Sequence, residues 1–599
     1  MTNRTLKIWT ILALALSFSL VALMAAGDGG TKKRRRPDQN LPLTDWSQFP
    51  QGYSILLNEK LQFPADLALW KMKIDTRRQL FVDNYLIARM TNLTREFHQP
   101  QKFAGNPVMR DVQSKSVCPD PQGGYRLYGR AWGNRLDGRP VPRLEHKAAS
   151  FRVWLARSDD GITWKVPEEN VVCRDKPGDA WTPMIGTVGG VIYQPEDPNP
   201  EEAWKLVLED ARKPSERGGP FAELGQWPNG GEAWRGLINL YTSPDGVRWT
   251  LKGGTSMYEA LSYWRNMGSP FAFFQGVGDV LTVRWDPVFK KYVAHSKHTI
   301  GPDFRFPFFF DNKDKQRGSF VDAFFEGRTV GWMESDDLIH WTSPRIYAYP
   351  DGEDAKIQGM YGIYEADGFP YESMWLGCFS MSANLAEPEC DAPPRHPEGY
   401  KRNWIRLTGS RDGRHWYYLG KREPFIPVGP NDQWDAHYLR MAEQGTVSGP
   451  LLKGDKLWFY YNGTYAGKPG CPGMTLPKNL WRSSLGVATL RRDGFASLNA
   501  DAEPGKVITP PLVFQGKGSL YVNAETGEDG YVKASVLEQD QDETAIQGFD
   551  EAASSAVRGD TVSSGITWGE QKTLAAVKDR HVRLVFHLKN AKLYSFWIE

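Results

Sequence analysis

Ser158-Asp-Asp-Gly-Ile-Thr-Trp164 and Ser243-Pro-Asp-Gly-Val-Arg-Trp249 share one pattern, S-x-D-[GL]-x-x-W. It returns as Ser335-Asp-Asp-Leu-Ile-His-Trp341 and as Ser410-Arg-Asp-Gly-Arg-His-Trp416. A degenerate fifth copy, Arg491-Arg-Asp-Gly-Phe495, lacks the Ser and the Trp. Successive copies lie 85, 92, 75 and 81 residues apart, so five units of about 83 span roughly residues 80 to 496. A fixed period of this kind predicts a repeat architecture. Within each copy the Asp can accept from the turn's own amides, and Gly supplies the positive φ of a tight hairpin. The Trp then fills space between neighbouring sheets. Asp160, Asp245, Asp337 and Asp412 therefore read as turn-formers, although they are the most regular carboxylates in the chain.

Each unit repeats the same grammar outward from that turn. Directly before it runs an apolar or alternating strand: FRVWLAR, INLYTS, TVGWME, WIRLTG and LGVATL. Ahead of that comes an aromatic-rich strand, such as YRLYGRAW, WKLVLED, KYVAHS, MWLGCFS and LWFYYNG. Earlier still lie small or branched residues, as in TVGGVIYQ, VLTVRW, MYGIYEA and GTVSGPLL. With the strand after the turn, each unit has four antiparallel strands, which describes a propeller blade. Past Asp493 the repeat stops. Period-2 strands replace it, with Val532, Ala534 and Val536, then Val582, Leu584, Phe586 and Leu588, on one face. The expected fold is all-β, a five-bladed β-propeller over residues 76–496 followed by a C-terminal β-sandwich over 497–599. The segment QLFVDNYLIARM (79–90) is expected to supply the strand that closes the ring.

Composition agrees and excludes some functions. A chain of 599 residues is too long for one hydrophobic core. Its 59 Gly, 41 Pro and 23 Trp fit many short strands joined by turns. Lys+Arg 73 against Asp+Glu 71 gives +2, and residues 1–40 alone hold seven bases and two acids. The rest is thus slightly acidic, which argues against a nucleic-acid partner. Residues 8–26 (IWTILALALSFSLVALMAA) form an uncharged apolar run of 19 after Arg4 and Lys7. Residues 1–27 are expected to be a signal peptide or N-terminal anchor, and 28–75 a basic linker and extension. The protein is expected to be exported, periplasmic or extracellular, touching a membrane only if that segment stays uncleaved. The five cysteines have no CxxC spacing, and His295, His298 and His437 lack metal-ligand spacing. No Gly-rich phosphate loop, H-E-x-x-H or G-x-S-x-G occurs, so neither metal nor cofactor is expected.

Several phrases resemble glycoside hydrolase families 32 and 43 and bacterial family 32-like proteins. They are LFVDNYLI (80–87), RWDPVFKKYV (284–293), LTGSRDGRHWYYLG (407–420) and VRLVFHLKNAKLYSFWIE (582–599). The likeness covers roughly residues 76–599. It implies a glycosidase on a long-bladed propeller with a carbohydrate substrate, and leaves room for a structural calcium ion in the central channel. The invertase-like N-D-P-N-G segment is absent; Trp285-Asp286-Pro287 approximates the R-D-P segment, and Glu389-Cys390 the E-C segment.

Glycosidic cleavage normally uses two carboxyl groups, a proton donor and a nucleophile or base. In a propeller they come mainly from the innermost strand of each blade. Aligned on their turns, those strands start at Val112, Thr187, Val280, Met360 and Gly445. Asp279 and Asp111 precede two of them, and Glu443 lies two residues before the last. Asp279, Glu443 and Asp111 are the catalytic candidates, with Asp279 foremost in its G-V-G-D-V setting. Glu365, Trp434, Asp435, His437 and Trp181 are the substrate-binding candidates, the tryptophans for stacking on sugar faces. Asp83 lies near the expected ring closure. Two alternatives remain open: a non-catalytic glycan-binding or scaffold propeller, and a sialidase-like hydrolase, which needs an arginine cluster and a tyrosine in the cavity.

Overall fold

Strand follows strand, and among the described residues no α-helix interrupts them. The computed structural model describes residues 72–599 except 111, 132–151, 166–170, 211–236, 257–279, 301–326, 343–344, 349–353, 355–359, 386–399, 431–432, 442, 445–448, 466–481 and 540–543. The apolar segment 8–26, Asp111, Asp279 and Glu389-Cys390 lie outside these residues.

The repeat folds as successive antiparallel meanders. The first comprises Val112–Pro119, Tyr125–Ala131 and Val153–Ser158, with Lys165 bridged to Arg157 as its outer edge. The second comprises Gly186–Tyr193, Trp204–Asp210, Leu237–Ser243 and Arg248–Ser256. The third runs Leu281–Asp286, Lys291–Ile300, Gly327–Ser335 and Arg345–Ala348. The fourth runs Met360–Tyr371, Met374–Leu385, Tyr400–Ser410 and Tyr417–Tyr418. The fifth uses Tyr438–Met441, Lys456–Tyr465 and Arg482–Arg491. First strands touch their neighbours in cyclic order, and Glu443–Gln444 pairs in parallel with Ser116–Val117 to join the fifth meander to the first. That cyclic contact is the propeller arrangement.

Each turn is built as its residues demand. Asp160, Asp245, Asp337 and Asp412 each accept from the amides two and three residues on, at 2.7–2.9 Å. Gly161, Gly246 and Gly413 take φ of +75°, +73° and +72°, and Leu338, in the glycine's place, takes +67°. Trp249 and Trp416 are fully buried. Adjacent meanders are also latched. The Tyr460 hydroxyl donates to the Gly161 carbonyl at 2.9 Å, and Tyr128 donates to that of Gly246 at 2.9 Å.

The ring closes later in the chain than expected. Gln101–Lys102, not residues 79–90, forms the outer strand of the fifth meander, paired with Ala488–Thr489. Gln79–Leu80 pairs instead with Phe596 and Ser595, and Arg89–Thr91 with Lys506–Ile508. The reason lies in LFV: Phe81 enters the C-terminal core while Leu80 and Val82 enter a propeller core. A strand apolar on both faces suits a shared wall better than an outer edge. The C-terminal sheet has ten strands, four of them from residues 72–97. Its frame is the long pair Leu520–Glu538 and Val582–Ile598, kinked by an irregularity between Thr526 and Tyr531. A single apolar core, including Phe81, Ala534, Val536, Trp568 and Phe586, fills the sandwich.

Three first strands are bulged facing the axis. The register skips between Ser114 and Ser116, Val188 and Gly190, and Ile363 and Glu365. Lys115, Gly189 and Tyr364 are the extra residues. A bulge sharpens twist and re-aims side chains, here on the strands that line the propeller axis.

Candidate active site

Tyr364 and Glu365 are sequence neighbours, which a regular strand would send to opposite faces. The bulge at Tyr364 lets both join one cluster. The Lys115 ammonium lies 3.7 Å from Glu365 Oε1, with both side chains 2% exposed. The Arg440 Nε donates to Glu365 Oε2 at 3.3 Å. Around the Tyr364 ring stand Lys297 and Arg328, each 4.7 Å from its centroid, and Arg440 at 5.1 Å. Tyr438 meets Tyr364 edge to face at 5.1 Å. Burial, followed by the neighbouring Tyr364, pushes the Tyr438 hydroxyl well above its ordinary range. The first, third, fourth and fifth meanders each contribute to this cluster. Gly362, at φ +137°, permits the close approach, because a Cβ there would sit 2.3 Å from the Arg328 carbonyl oxygen.

A second polar layer is enclosed between the third and fourth meanders. Arg284 Nε donates to Asp367 Oδ1 at 2.9 Å, and a second guanidinium nitrogen reaches the same oxygen. Burial raises the Asp367 pKa despite Arg284. His295 Nδ1 lies 2.5 Å from the Tyr347 hydroxyl. Burial and the Arg284 charge hold the His295 pKa down to about 3, so its ring is neutral at ordinary pH. Asp367 lies on the same strand as Glu365, so this layer ties that strand to the third meander.

The expected site residues fall into distinct places. Glu365 is in the axial cluster. Glu443 lies on the strand beside Lys115, its backbone paired with Ser116. His437 is fully buried, and its backbone accepts from Asn403 and donates to Thr464. Asp435 anchors the ring-closing strand, accepting from Lys102 Nζ at 2.6 Å and the Tyr461 hydroxyl at 3.2 Å. Trp434 stacks on Tyr461 with centroids 5.6 Å apart. Trp181 is 40% exposed, with Arg174 over its ring at 4.5 Å. It precedes Thr182–Pro183, at the opposite end of its sheet from the axis-lining strand.

Two further carboxylates serve the frame. Asp286, of the W-D-P segment, caps its own turn and accepts from the Trp375 indole at 2.8 Å. Asp83 is clamped by Arg411 at 2.7 and 2.9 Å and by the Tyr417 hydroxyl. Burial opposes its charge, but these donors hold its pKa below the ordinary range. Lys115, Lys297, Arg328, Arg440, Tyr364 and Asp367 were not expected in the site. The one legible signal was Lys115, a lysine amid an inner strand. Among the described residues no group of three or more His, Cys, Asp or Glu is placed to hold a metal ion.

No family model and no curated protein matches the sequence. Solved structures resemble it in shape. A GH32 β-fructofuranosidase of Bombyx mori aligns at 9% identity and TM-score 0.35, covering 84% of this chain and 93% of that one. A glycoside hydrolase family 43 arabinoxylan arabinofuranohydrolase from Bacillus subtilis aligns at 10% and 0.33, covering 83% and 98%. An N-acetylgalactosamine deacetylase from F. plautii, in complex with blood group B trisaccharide, aligns at 14% and 0.34, covering 68% and 96%. At such values no residue role is transferred.

Proposed function

We propose that the chain is an exported glycoside hydrolase whose chemistry takes place at the propeller axis, around Glu365. The supporting observation is a buried carboxylate between Lys115 and Arg440, beside the strand that carries Glu443. An ion-paired carboxylate suits a nucleophile, a base or an acceptor of sugar hydroxyls. Glu443 is then the partner that donates a proton to the leaving oxygen, as glycosidic cleavage requires. Asp279 and Asp111, just before two inner strands, are the remaining candidates for that pair. The mechanism asks for no cofactor, and a calcium ion would be structural.

The test measures initial rates and melting temperatures of Glu365→Gln, Glu443→Gln and Asp279→Asn on a hydrolysable oligosaccharide found by screening. A carboxylate that acts on the developing charge should lose at least about a hundredfold in rate when neutralised, by analogy with other transition-state contacts. Near-parental rates for all three, with intact folds, would defeat the carboxylate-pair mechanism. Tight glycan binding with no turnover in the parent would leave a binding propeller in its place.

A further inference from the structure

We propose that the outer face of the C-terminal sheet carries a second active site, in which Ser535, His587 and Glu551 cleave a small carboxylic ester. This site uses none of the axial residues and does not depend on the glycan chemistry there. The observation is a chain of three side chains. Ser535 Oγ lies 2.9 Å from His587 Nε2, and His587 Nδ1 lies 3.1 Å from Glu551 Oε2. Strand alternation puts two of them on one face. Val532, Ala534 and Val536 enter the sandwich core with Leu584, Phe586 and Leu588, so Lys533, Ser535 and His587 face outward. Glu551 arrives from the segment between Leu520–Glu538 and Asp560–Ile566. A serine, a base and an acid joined through these atoms are the arrangement that activates a hydroxyl for acyl transfer, on whatever fold it occurs. Ser497 and His98 also meet, at 2.8 Å, but that serine is fully buried, donates to Asn499, and leaves the ring 4.0 Å from Glu96.

Each atom suits its role. Glu551 keeps the imidazole proton on Nδ1, which leaves Nε2 to accept from the Ser535 hydroxyl. Burial holds the His587 pKa below its ordinary value against the Glu551 charge, and Lys506 and Lys533 add to the lowering. The ring is therefore neutral near pH 7 and can take a proton. On attack, the Ser535 proton passes to Nε2 while Oγ bonds the ester carbonyl carbon and the carbonyl electron pair moves to its oxygen. Collapse breaks the bond to the alkoxy oxygen, which takes the proton back from Nε2 and leaves as an alcohol. Water, deprotonated by the same nitrogen, then releases the carboxylic acid and restores the hydroxyl. Lys533 faces His587 across the strand pair, and its positive charge favours the oxyanion. Val585, opposite Ser535, packs with Ile508 and Leu537 and keeps water from that flank. Ser535 is 5% exposed, so the acyl group that reaches Oγ is small, acetyl rather than a long chain.

The whole chain is treated with a fluorophosphonate, whose adduct is mapped by peptide mass spectrometry, and is assayed with p-nitrophenyl acetate. The adduct should form on Ser535, a measurement that needs no variant. Ser535→Ala should lower the initial rate at least about a hundredfold and keep the parental melting temperature within a few degrees. His587→Gln should lower the rate as far and prevent the adduct. Glu551 is a positioning residue: Glu551→Gln should lower kcat at least about tenfold with KM within about twofold, and Glu551→Asp should recover part of the loss. The octanoate ester should react at least about tenfold more slowly than the acetate. No adduct on Ser535, or parental hydrolysis by Ser535→Ala, would overturn the proposal. Octanoate cleaved as fast as acetate would overturn its limit to small acyl groups.

Discussion

Asp337 takes the amides of Ile339 and His340 at 2.9 and 2.7 Å, and the His340 ring at 2.6 Å. Burial would raise its pKa, but these donors win and hold it down to about 2. A carboxylate depressed in the folded state stabilises it fully above the unfolded value of 3.8, and that stability is lost as pH falls toward 2. Asp337→Asn keeps an acceptor without the titration. Melting temperatures of parent and variant should therefore differ above pH 4 and converge near pH 2, where the folded carboxyl is itself protonated. Removing the acceptor altogether is harsher: Asp245→Ala should cost about 1 kcal/mol, as loss of a capping side chain does. Urea unfolding at neutral pH would measure it, and no shift would mean that the turn holds itself. These turn carboxylates were legible because each acts on residues two or three positions away. Glu365 was legible only as a lone acid on an inner strand. Its pairing with Lys115 and Arg440 was not, since they are separated from it by 250 and 75 residues and meet it only because the ring closes.

The latch between meanders is a testable element. Tyr460→Phe removes the hydroxyl that holds Gly161 and should cost about 1 kcal/mol. Gly161→Ala should cost more, about 1–3 kcal/mol, because the residue sits at φ +75° and its Cβ would meet the Tyr460 hydroxyl at 2.5 Å. In the double variant the clash is relieved while the backbone strain persists, so the two penalties should fall short of additive. Strict additivity in denaturant melts would show that the hydroxyl and the turn are independent. Inner strands were well read from their distance to the next turn: those expected at Val112, Thr187, Val280 and Met360 begin at Val112, Gly186, Leu281 and Met360. The fifth begins at Tyr438 rather than Gly445, which puts Glu443 within the inner-strand region instead of ahead of it. The error has a physical origin. That strand is irregular, pairing with its own meander at Tyr438–Met441 and with the first at Glu443–Gln444. No local alternation encodes such a change of partner. The bulges escaped for a related reason, since an extra residue shows only when the partner strand is known.

At the scale of the molecule, the degenerate fifth turn joins the propeller to the C-terminal sheet. Asp493, fully buried, accepts from Arg78 at 2.7 Å, Tyr371 at 2.8 Å, Asn523 at 3.0 Å and Ser595 at 2.7 Å. Losing Ser and Trp freed this copy to bind across the boundary, which the motif alone did not announce. Arg78→Met leaves that carboxylate without its cation and should destabilise the fold by about 3–5 kcal/mol. A loss under about 1 kcal/mol in chemical denaturation would show that the three remaining donors suffice. A fragment of residues 497–599 should stay unfolded alone and gain cooperative melting when a peptide of residues 70–99 is added, because four strands of its sheet come from there. Independent folding of the fragment would show those strands to be dispensable. The same shared sheet sets a timetable for biosynthesis. Gln79 pairs with Phe596, so a strand made early waits for the last stretch of chain. At ribosomal speeds of about 5–20 residues per second, the wait is roughly 25–100 s. Throughout it Phe81 lacks its C-terminal wall, while Leu80 and Val82 wait only for the fourth and fifth meanders, and a chaperone that shields nascent apolar segments has a defined place to bind.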